Sequence, residues 1–369
     1  MDKAKVLFII HLPPPIHGAA MMGKFISQSE RLNSSFECNY INLQTSRKLT
    51  DTGKGIFSKF FRFIALYLKV IYQLLTSRND LCYMTLNTKG AAFYKEMLIV
   101  FLLKLFRQKI VYHFHNKGVS DSPHRFIDSL LYKVAFKNTR SILTSKFLYS
   151  DIKRYVEAKD VYYCHNGIPT ITHNTISVRN IPNNSKRPKI IFLSNMIKEK
   201  GVWVLLEACE ILYMRNVDFE CHFVGSWADI AEVELASCIK DKKLSNHITI
   251  HGQKIGEEKS SLLKESNIFT LPTLNDCFPL VLLEAMQYAL PIVATNEGGI
   301  PEIVDNEVTG FLIPKQNSKE LANKLEMLIL DPEMCSEMGE QGKNRFDEKF
   351  TLDQFEINLE NILKNCISS

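Results

Sequence analysis

The sequence predicts an α/β chain of two domains, each a parallel sheet with helices packed against it. Three observations carry this. From Lys5 to about residue 165, short unbroken apolar runs alternate with helical segments. Such runs are what strands covered on both faces look like. Residues 165–189 are rich in Asn, Thr and Pro and have no period, which is the composition of a linker. The alternation then restarts at Ile190 and continues to about residue 350. The expected plan is a first domain over 1–165, a linker over 166–189, a second domain over 190–350 and a closing helix over 351–369. A chain of 369 residues is long enough for two full cores.

The first domain opens on a strand at Lys5–Ile10. Pro13, Pro14 and Pro15 then deliver His17 and Gly18 to a helix over 19–32. Without a Cβ, Gly18 lets the backbone approach a ligand closely. No GxGxxG occurs here, which counts against a dinucleotide fingerprint. Further strands are expected over 81–86, 110–115, 141–145 and 161–164. In VYHFHNKG the histidines alternate, so His113 and His115 share a face. His115 stands at the carboxyl end of its strand, where open parallel sheets bind ligands, and is favoured over His113 as a site residue. Strands of the second domain are expected over 190–193, 221–224, 248–251, 268–273, 291–295 and 311–313. Helices over about 200–215, 229–241, 256–266, 280–289 and 318–330 lie between and after them, and two more over 332–347 and 353–364 close the chain.

Charge is divided unevenly. Residues 1–185 carry 26 Lys/Arg and 11 Asp/Glu, whereas 186–369 carry 19 and 29. The basic half suits an anionic surface. Within it, 54–78 interleaves Lys54, Lys59, Arg62, Lys69 and Arg78 with Phe57, Phe60, Phe61 and Phe63. A second stretch, 94–109, sets Lys95, Lys104, Arg107 and Lys109 around an apolar run. Both read either as interfacial helices on an anionic membrane or as packing helices with snorkelling lysines. No apolar run approaches the 18 residues of a spanning helix. The run over 6–10 is too short for a signal-peptide core. Nine scattered cysteines without a CxxC fit reduced thiols, not a disulfide framework or a zinc site. A cytoplasmic chain, peripheral at the inner face of the membrane, is the expectation. Nucleic acid is not an expected partner.

The densest chemistry lies in LPTLNDCFPLVLLEAMQYALPIVATNEGG, residues 271–299. Pro279 is expected at the first helical position. The helix that follows from Leu280 is apolar almost all round and should be buried. It nevertheless carries Glu284, and burial penalises a carboxylate unless something pairs with it. Asp276 lies eight residues earlier. Between the two acids stands a helix N-terminus, a natural seat for phosphate. An acid, a phosphate seat and a second acid form a template for the hexose, diphosphate and ribose of a nucleotide sugar.

Several pieces fall in order: the loop over 13–18, His115, the NGIP turn over 166–169, SNMIKEKGVWVLLEA over 194–208, FVG over 223–225, LPTLNDCFPLVLLEAM over 271–286 and ATNEGGIPEIV over 294–304. Together they resemble the retaining glycosyltransferases of family 4. The resemblance covers nearly the whole chain, densely from 190 to 314 and thinly before 110. It implies the GT-B fold, with two facing Rossmann-like domains, a deep cleft between them and a last helix that crosses back to the first domain. It also implies roles by position. Asp276 and Glu284 match the family's pair of acids with seven residues between. Glu284 would hold the ribose hydroxyls, and Asp276, where the family has Glu, the donor sugar. The N–H groups of Phe278 and Leu280 would face sugar and phosphate, while Pro279 has none to offer. Lys200 matches a phosphate-binding lysine. Asn195 stands where the family has a phosphate-binding arginine, so another cation is wanted, and Lys117 and Arg125 are candidates. Gly18 would give an N–H to the diphosphate, and His115 would contact the transferred sugar.

The activity so implied is metal-independent and needs no cofactor besides the donor, with a UDP-sugar favoured over a GDP-sugar. No Asp-x-Asp occurs in the chain to hold a metal. A hexosyl or N-acetylhexosaminyl unit would pass with retention to a lipid-linked glycan in bacterial surface polysaccharide synthesis, of capsule or lipopolysaccharide. His115, Asp276 and Lys200 would carry the chemistry. Two other readings stay open. One is a nucleotide-sugar epimerase on the same fold. The other is an inactive nucleotide-sugar- or membrane-binding partner, which Asn195 and Asp276 would favour.

Overall fold

The structure, a computed structural model, describes residues 3–44, 56–121, 126–171 and 187–368, without the side chains of 56–60. Arg125, Lys54, most of the expected linker (172–186) and the side chains of Phe57, Lys59 and Phe60 therefore lie outside the described residues. The chain divides into two compact units, Met1–Asn166 with Leu352–Ser369, and Gly167–Thr351.

The first unit is built on β1 (Lys5–Ile10), β2 (Glu37–Asn42), β3 (Leu81–Met84), β4 (Ile110–Phe114), β5 (Arg140–Leu143) and β6 (Val161–Tyr163). All pairings are parallel, in the order β2-β1-β3-β4-β5-β6. Every residue of β3 and β4 is buried, which explains their unbroken apolar runs. Between the strands run α1 (Gly18–Gln28), α2 (Glu30–Ser35), α3 (Ile56–Thr76), α4 (Gly90–Leu105), α5 (Phe126–Phe136) and α6 (Tyr149–Ile152). Right-handed crossovers place α3, α4 and α5 on one face of the sheet and α1 and α2 on the other.

Three expectations are corrected here. The single helix over 19–32 is two helices, broken at Ser29. Its backbone is extended and its Oγ accepts from Leu32 N at 3.2 Å, capping α2. The strand β2 was not anticipated: it is an edge strand, and its ECNYIN is too polar and too exposed to read as a buried run. The strand β4 stops at Phe114, so His115 lies just past it rather than within it.

The second unit is built on β7 (Lys189–Leu193), β8 (Glu220–Val224), β9 (Ile248–Gly252), β10 (Ile268–Leu271), β11 (Ile292–Thr295) and β12 (Gly310–Ile313). Its parallel order is β12-β11-β10-β7-β8-β9. The helices are α7 (Val202–Met214), α8 (Glu232–Asp241), α9 (Gly256–Glu265), α10 (Leu280–Gln287), α11 (Ile300–Ile303), α12 (Ser318–Leu330) and α13 (Pro332–Lys349). α12 packs on α7, and α13 on α10. The residues just after Asn166 belong to this unit: Ile168 N donates to Phe350 O at 3.1 Å. The closing helix, α14 (Leu352–Ser368), packs in the first unit against α2 and β3. No helix among the described residues is long and apolar enough to cross a membrane.

Each sheet has one place where successive connections leave in opposite directions. In the first unit it lies between β1 and β3, in the second between β7 and β10. Loops at the carboxyl ends of such a strand pair splay apart and leave a crevice. The two candidate constellations of this chain stand at these two places.

Candidate active site

In the second unit, three loops are tied together at the carboxyl ends of β7, β10 and β11. Leu274 N and Thr273 Oγ1 both donate to Glu199 O, at 2.7 and 3.1 Å. Asn275 Nδ2 donates to Glu199 Oε2 at 3.2 Å. Thr295 Oγ1 donates to Thr273 O, and Gly299 N to Cys277 O, both at 2.6 Å. Gly201 adopts φ 83° and would drive a Cβ to within 2.0 Å of Pro272 O; Gly298, at φ 55°, would meet Asp276 O at 2.1 Å. Only glycine permits these approaches.

The tied loops present Lys200 and Asp276, whose Nζ and Oδ2 are 2.6 Å apart and part-buried. Asp276 Oδ1 also accepts from Cys277 N at 3.1 Å. The two residues expected to divide a donor between phosphate and sugar therefore hold each other. Asn195, half-buried, lies in the same β7 loop and brings no cation to it. Lys315, just past β12, does: its Nζ reaches Leu274 O at 3.5 Å and Glu297 Oε2 at 2.7 Å. Sequence reasoning missed Lys315, because only the fold brings β12 beside β11. Of the two cations it did offer, Lys117 belongs to the first unit and Arg125 lies outside the described residues.

Pro279 is corrected from first helical position to N-cap, with an extended ψ of 117°, and α10 begins at Leu280. No side chain caps this helix, so its first N–H groups keep their orientation along the helix axis. Phe278 serves the core: it is buried and its ring packs on Phe350 at 6.0 Å. Glu284 was expected to be buried and in need of a partner; the partner is present and the burial is incomplete. It is half-buried, and Lys259 Nζ on α9 lies 2.9 Å from its Oε2. α9 and α10 lie on the same face of the sheet, which brings the two side chains together across 25 residues of sequence.

In the first unit, a polar network whose His11, Thr85 and Glu96 are buried and whose Asn87 and Asn116 are half-buried lies at the crevice between β1 and β3. His11 Nδ1 lies 2.9 Å from Thr85 Oγ1, and its Nε2 lies 3.2 Å from Asn87 Nδ2 and 3.3 Å from Glu96 Oε1. Glu96 accepts from Asn87 N and Asn87 Nδ2, both at 2.6 Å. Asn116 Nδ2 donates to Asn87 Oδ1 at 2.7 Å, and Asn116 Oδ1 accepts from Thr88 N at 3.1 Å. None of these residues was anticipated. One signal was present: Glu96 interrupts the apolar helix α4 as Glu284 interrupts α10.

His115 stands beside this network, its ring 4.2 Å from that of His113. His113 is fully buried and bound to Tyr83 OH at 2.5 Å, a structural role. Both ring nitrogens of His115 are shielded from solvent and make no hydrogen bond of good geometry among the described residues. The nearby Asn166 amide favours its charged form, but burial and the neighbouring His11 push its pKa down to about 3. His115 is thus a neutral imidazole with one N–H to donate. His17 caps α1, its Nδ1 accepting from Ala20 N at 3.3 Å. Burial, then His11, hold its pKa down to about 4. Gly18 opens α1, and a Cβ there would meet nothing within 4 Å. No packing among the described residues asks for glycine at that position. Among the described residues no group of three His, Cys, Asp or Glu is placed to hold a metal, and the nine cysteines are free thiols.

Residues 173–345 match the family of glycosyl transferases group 1. Over 140 residues the chain is 34% identical to an amylovoran biosynthesis glycosyltransferase of Erwinia amylovora, a match covering 36% of this chain and 34% of that protein. Over 160 residues it is 26% identical to a capsular polysaccharide biosynthesis glycosyltransferase of Staphylococcus aureus, covering 43% of this chain and 41% of that protein. The chain thus spans between a third and a half of the length of these relatives. The crystal structure of Anabaena HepE in complex with UDP superposes with a TM-score of 0.75 and 19% identity, covering 98% of this chain and 100% of that one. The fold is GT-B, as the resemblance implied.

Proposed function

We propose that this chain, which belongs to the glycosyl transferases group 1 through its second unit, moves a hexosyl unit from a nucleotide diphosphate sugar to a glycan acceptor. Two relatives named for amylovoran and capsular polysaccharide biosynthesis support a surface-polysaccharide setting, and HepE, which binds UDP, supports a UDP-sugar donor. The observation that carries the reading is the Lys200–Asp276 pair at the crevice between β7 and β10. A diphosphate entering there takes Lys200 from Asp276, and the freed carboxylate accepts hydroxyls of the donor sugar. The N-terminus of α10 and Lys315 add positive potential to the same loops, which matters because Asn195 adds none. Glu284 takes the ribose hydroxyls in competition with Lys259.

The main catalytic task is then stabilising the leaving diphosphate. The acceptor hydroxyl attacks the face from which the diphosphate departs. A phosphate oxygen of the leaving group takes the proton, and configuration is retained. No protein nucleophile takes part. His115, neutral through the physiological range, donates its N–H to the transferred sugar. The acceptor is a lipid-linked glycan bound on the first unit.

A thermal-unfolding panel with UDP-, GDP- and ADP-sugars tests the donor half. A ligand that binds only the folded chain raises its stability by about 2.7 kcal/mol at 100 times its Kd. A UDP-sugar should raise the melting temperature, and Lys200→Ala should abolish the rise. A panel in which no nucleotide sugar shifts the transition would end the transferase reading. If product forms from the donor without an acceptor, epimerisation or hydrolysis replaces transfer.

A further inference from the structure

The helix layer of the first unit is apolar on its outer side as well as its inner side. α4 turns Phe93, Met97, Val100 and Leu103 inward, all buried. Its opposite face carries Leu98, Phe101 and Leu105, exposed by 44, 41 and 75%. An all-round apolar helix is normally buried on every side. α3 packs beside α4, and α4 beside α5. On α3 the outer stripe is Phe61, Leu68, Tyr72 and Leu75, each at least 59% exposed, at helical spacing. On α5 it is Phe126, Ile127 and Leu130, each at least 52% exposed. Together these side chains expose on the order of 1,000 Å² of apolar surface, against roughly 300–600 Å² for the largest patch of an ordinary monomer.

The charges on this layer are of one sign. α3 contains no Asp or Glu. α4 and α5 contain one each, Glu96 and Asp128, and both are buried. Glu96 is bonded to Asn87, and Asp128 accepts from Tyr94 OH at 2.5 Å. Among the described side chains of these helices, the exposed charges are Arg62 and Lys69 on α3, Lys95 on α4 and Lys133 on α5. In the second unit, by contrast, α8 and α9 each set two glutamates in their first turn.

We infer that the outer face of α3, α4 and α5 docks in the interface of a bilayer containing anionic lipid, its apolar stripes among the acyl chains and its cations at the headgroups. Apolar burial and cation attraction act together on such a surface. A second copy of the chain is the poorer occupant, because a two-fold contact of this face would set cations against cations. The inference is independent of the transferase reading: it concerns a surface remote in sequence from Lys200 and is tested with no nucleotide sugar present.

The test is co-sedimentation of the full chain with phosphatidylcholine vesicles, with and without about 30% phosphatidylglycerol. Binding to the anionic vesicles should exceed binding to the zwitterionic ones by about tenfold, and should weaken as salt rises, since the Debye length falls from about 10 Å at 0.1 M to about 3 Å at 1 M. The double variant Leu68→Glu/Leu98→Glu should lose at least tenfold in partition while keeping its melting temperature. If that variant does not fold, Lys69→Glu/Lys133→Glu, which leaves every apolar contact in place, must lose the preference for anionic lipid. Equal binding to both vesicle types, binding to neither, or a dimer in solution that the leucine variant dissolves would each overturn the inference.

Discussion

The two sheet crevices share a topology but not a chemistry. Between β7 and β10 the side chains are Lys200, Asp276 and, from neighbouring loops, Lys315 and Glu297, paired as ions; all but the buried Glu297 are partly open to solvent. Between β1 and β3 they are the buried His11, Thr85 and Glu96 and the half-buried Asn87, joined by hydrogen bonds. The first arrangement can release a cation to an arriving phosphate, because the phosphate oxygens replace the carboxylate as its charged partner. The second cannot open without stranding buried polar groups. One crevice is built to exchange partners, the other to hold a shape.

That difference can be broken at either end, and the largest effect is expected in the exchanging crevice. Lys200→Ala should lower turnover by roughly 10²–10³-fold, read as nucleotide release, with the melting temperature nearly unchanged. A drop of less than fivefold would remove Lys200 from the phosphate. In the shape-holding crevice the loss should appear as stability. Glu96→Gln sets an amide N–H against donors of Asn87 and should cost about 1–3 kcal/mol in urea unfolding. A neutral outcome would mean that the network is slack.

Acid should weaken the same region next. His17 and His115 have pKa values near 4 and 3, and His113 lies well below the usual range, all chiefly through burial. The unfolded chain therefore binds more protons than the folded one as pH falls below about 6.5. Stability is full above that pH and declines toward pH 4, by at most about 1.4 kcal/mol per pH unit for each histidine. Burial also lowers His222 and His251 in the second unit, so the assignment rests on His115→Asn, which should flatten part of the slope. The smallest effect is expected for Lys259→Met, which frees Glu284 without touching the phosphate loops. Donor KM should change only a few-fold and stability by less than about 1 kcal/mol.

Most strands were legible because each is covered on both faces and so reads as an apolar run; β1 matches residue for residue. β2 was not, since an edge strand keeps polar side chains. The break at Ser29 escaped because serine is tolerated inside a helix and its capping role appears only once the backbone has turned. In the site, the sequence exposed residues whose chemistry conflicts with their surroundings, and Glu284 was found that way. It could not supply Lys259, whose nearness is made by two helices on one sheet face. The same conflict marks Glu96 in α4, yet its partners His11 and Asn87 come from two other strands' loops. Periodicity is local, and hydrogen-bond networks of this kind are not.

The last helix gives the order in which the chain can finish folding during synthesis. Phe355, Leu359, Leu363 and Cys366 of α14 are buried in the first unit. Glu360 accepts from Ser35 Oγ at 2.7 Å, and Lys109 Nζ reaches Ile367 O at 2.8 Å. A ribosome that has released residue 351 has delivered the whole second unit but only part of the first. The earlier-made unit is completed later, and until then the α2 and β3 surfaces that α14 covers are without their cover. Counted from the end of β3 at Met84 to the end of α14 at Ser368, at roughly 5–20 residues per second, the β3 surface waits on the order of ten seconds or more for its cover.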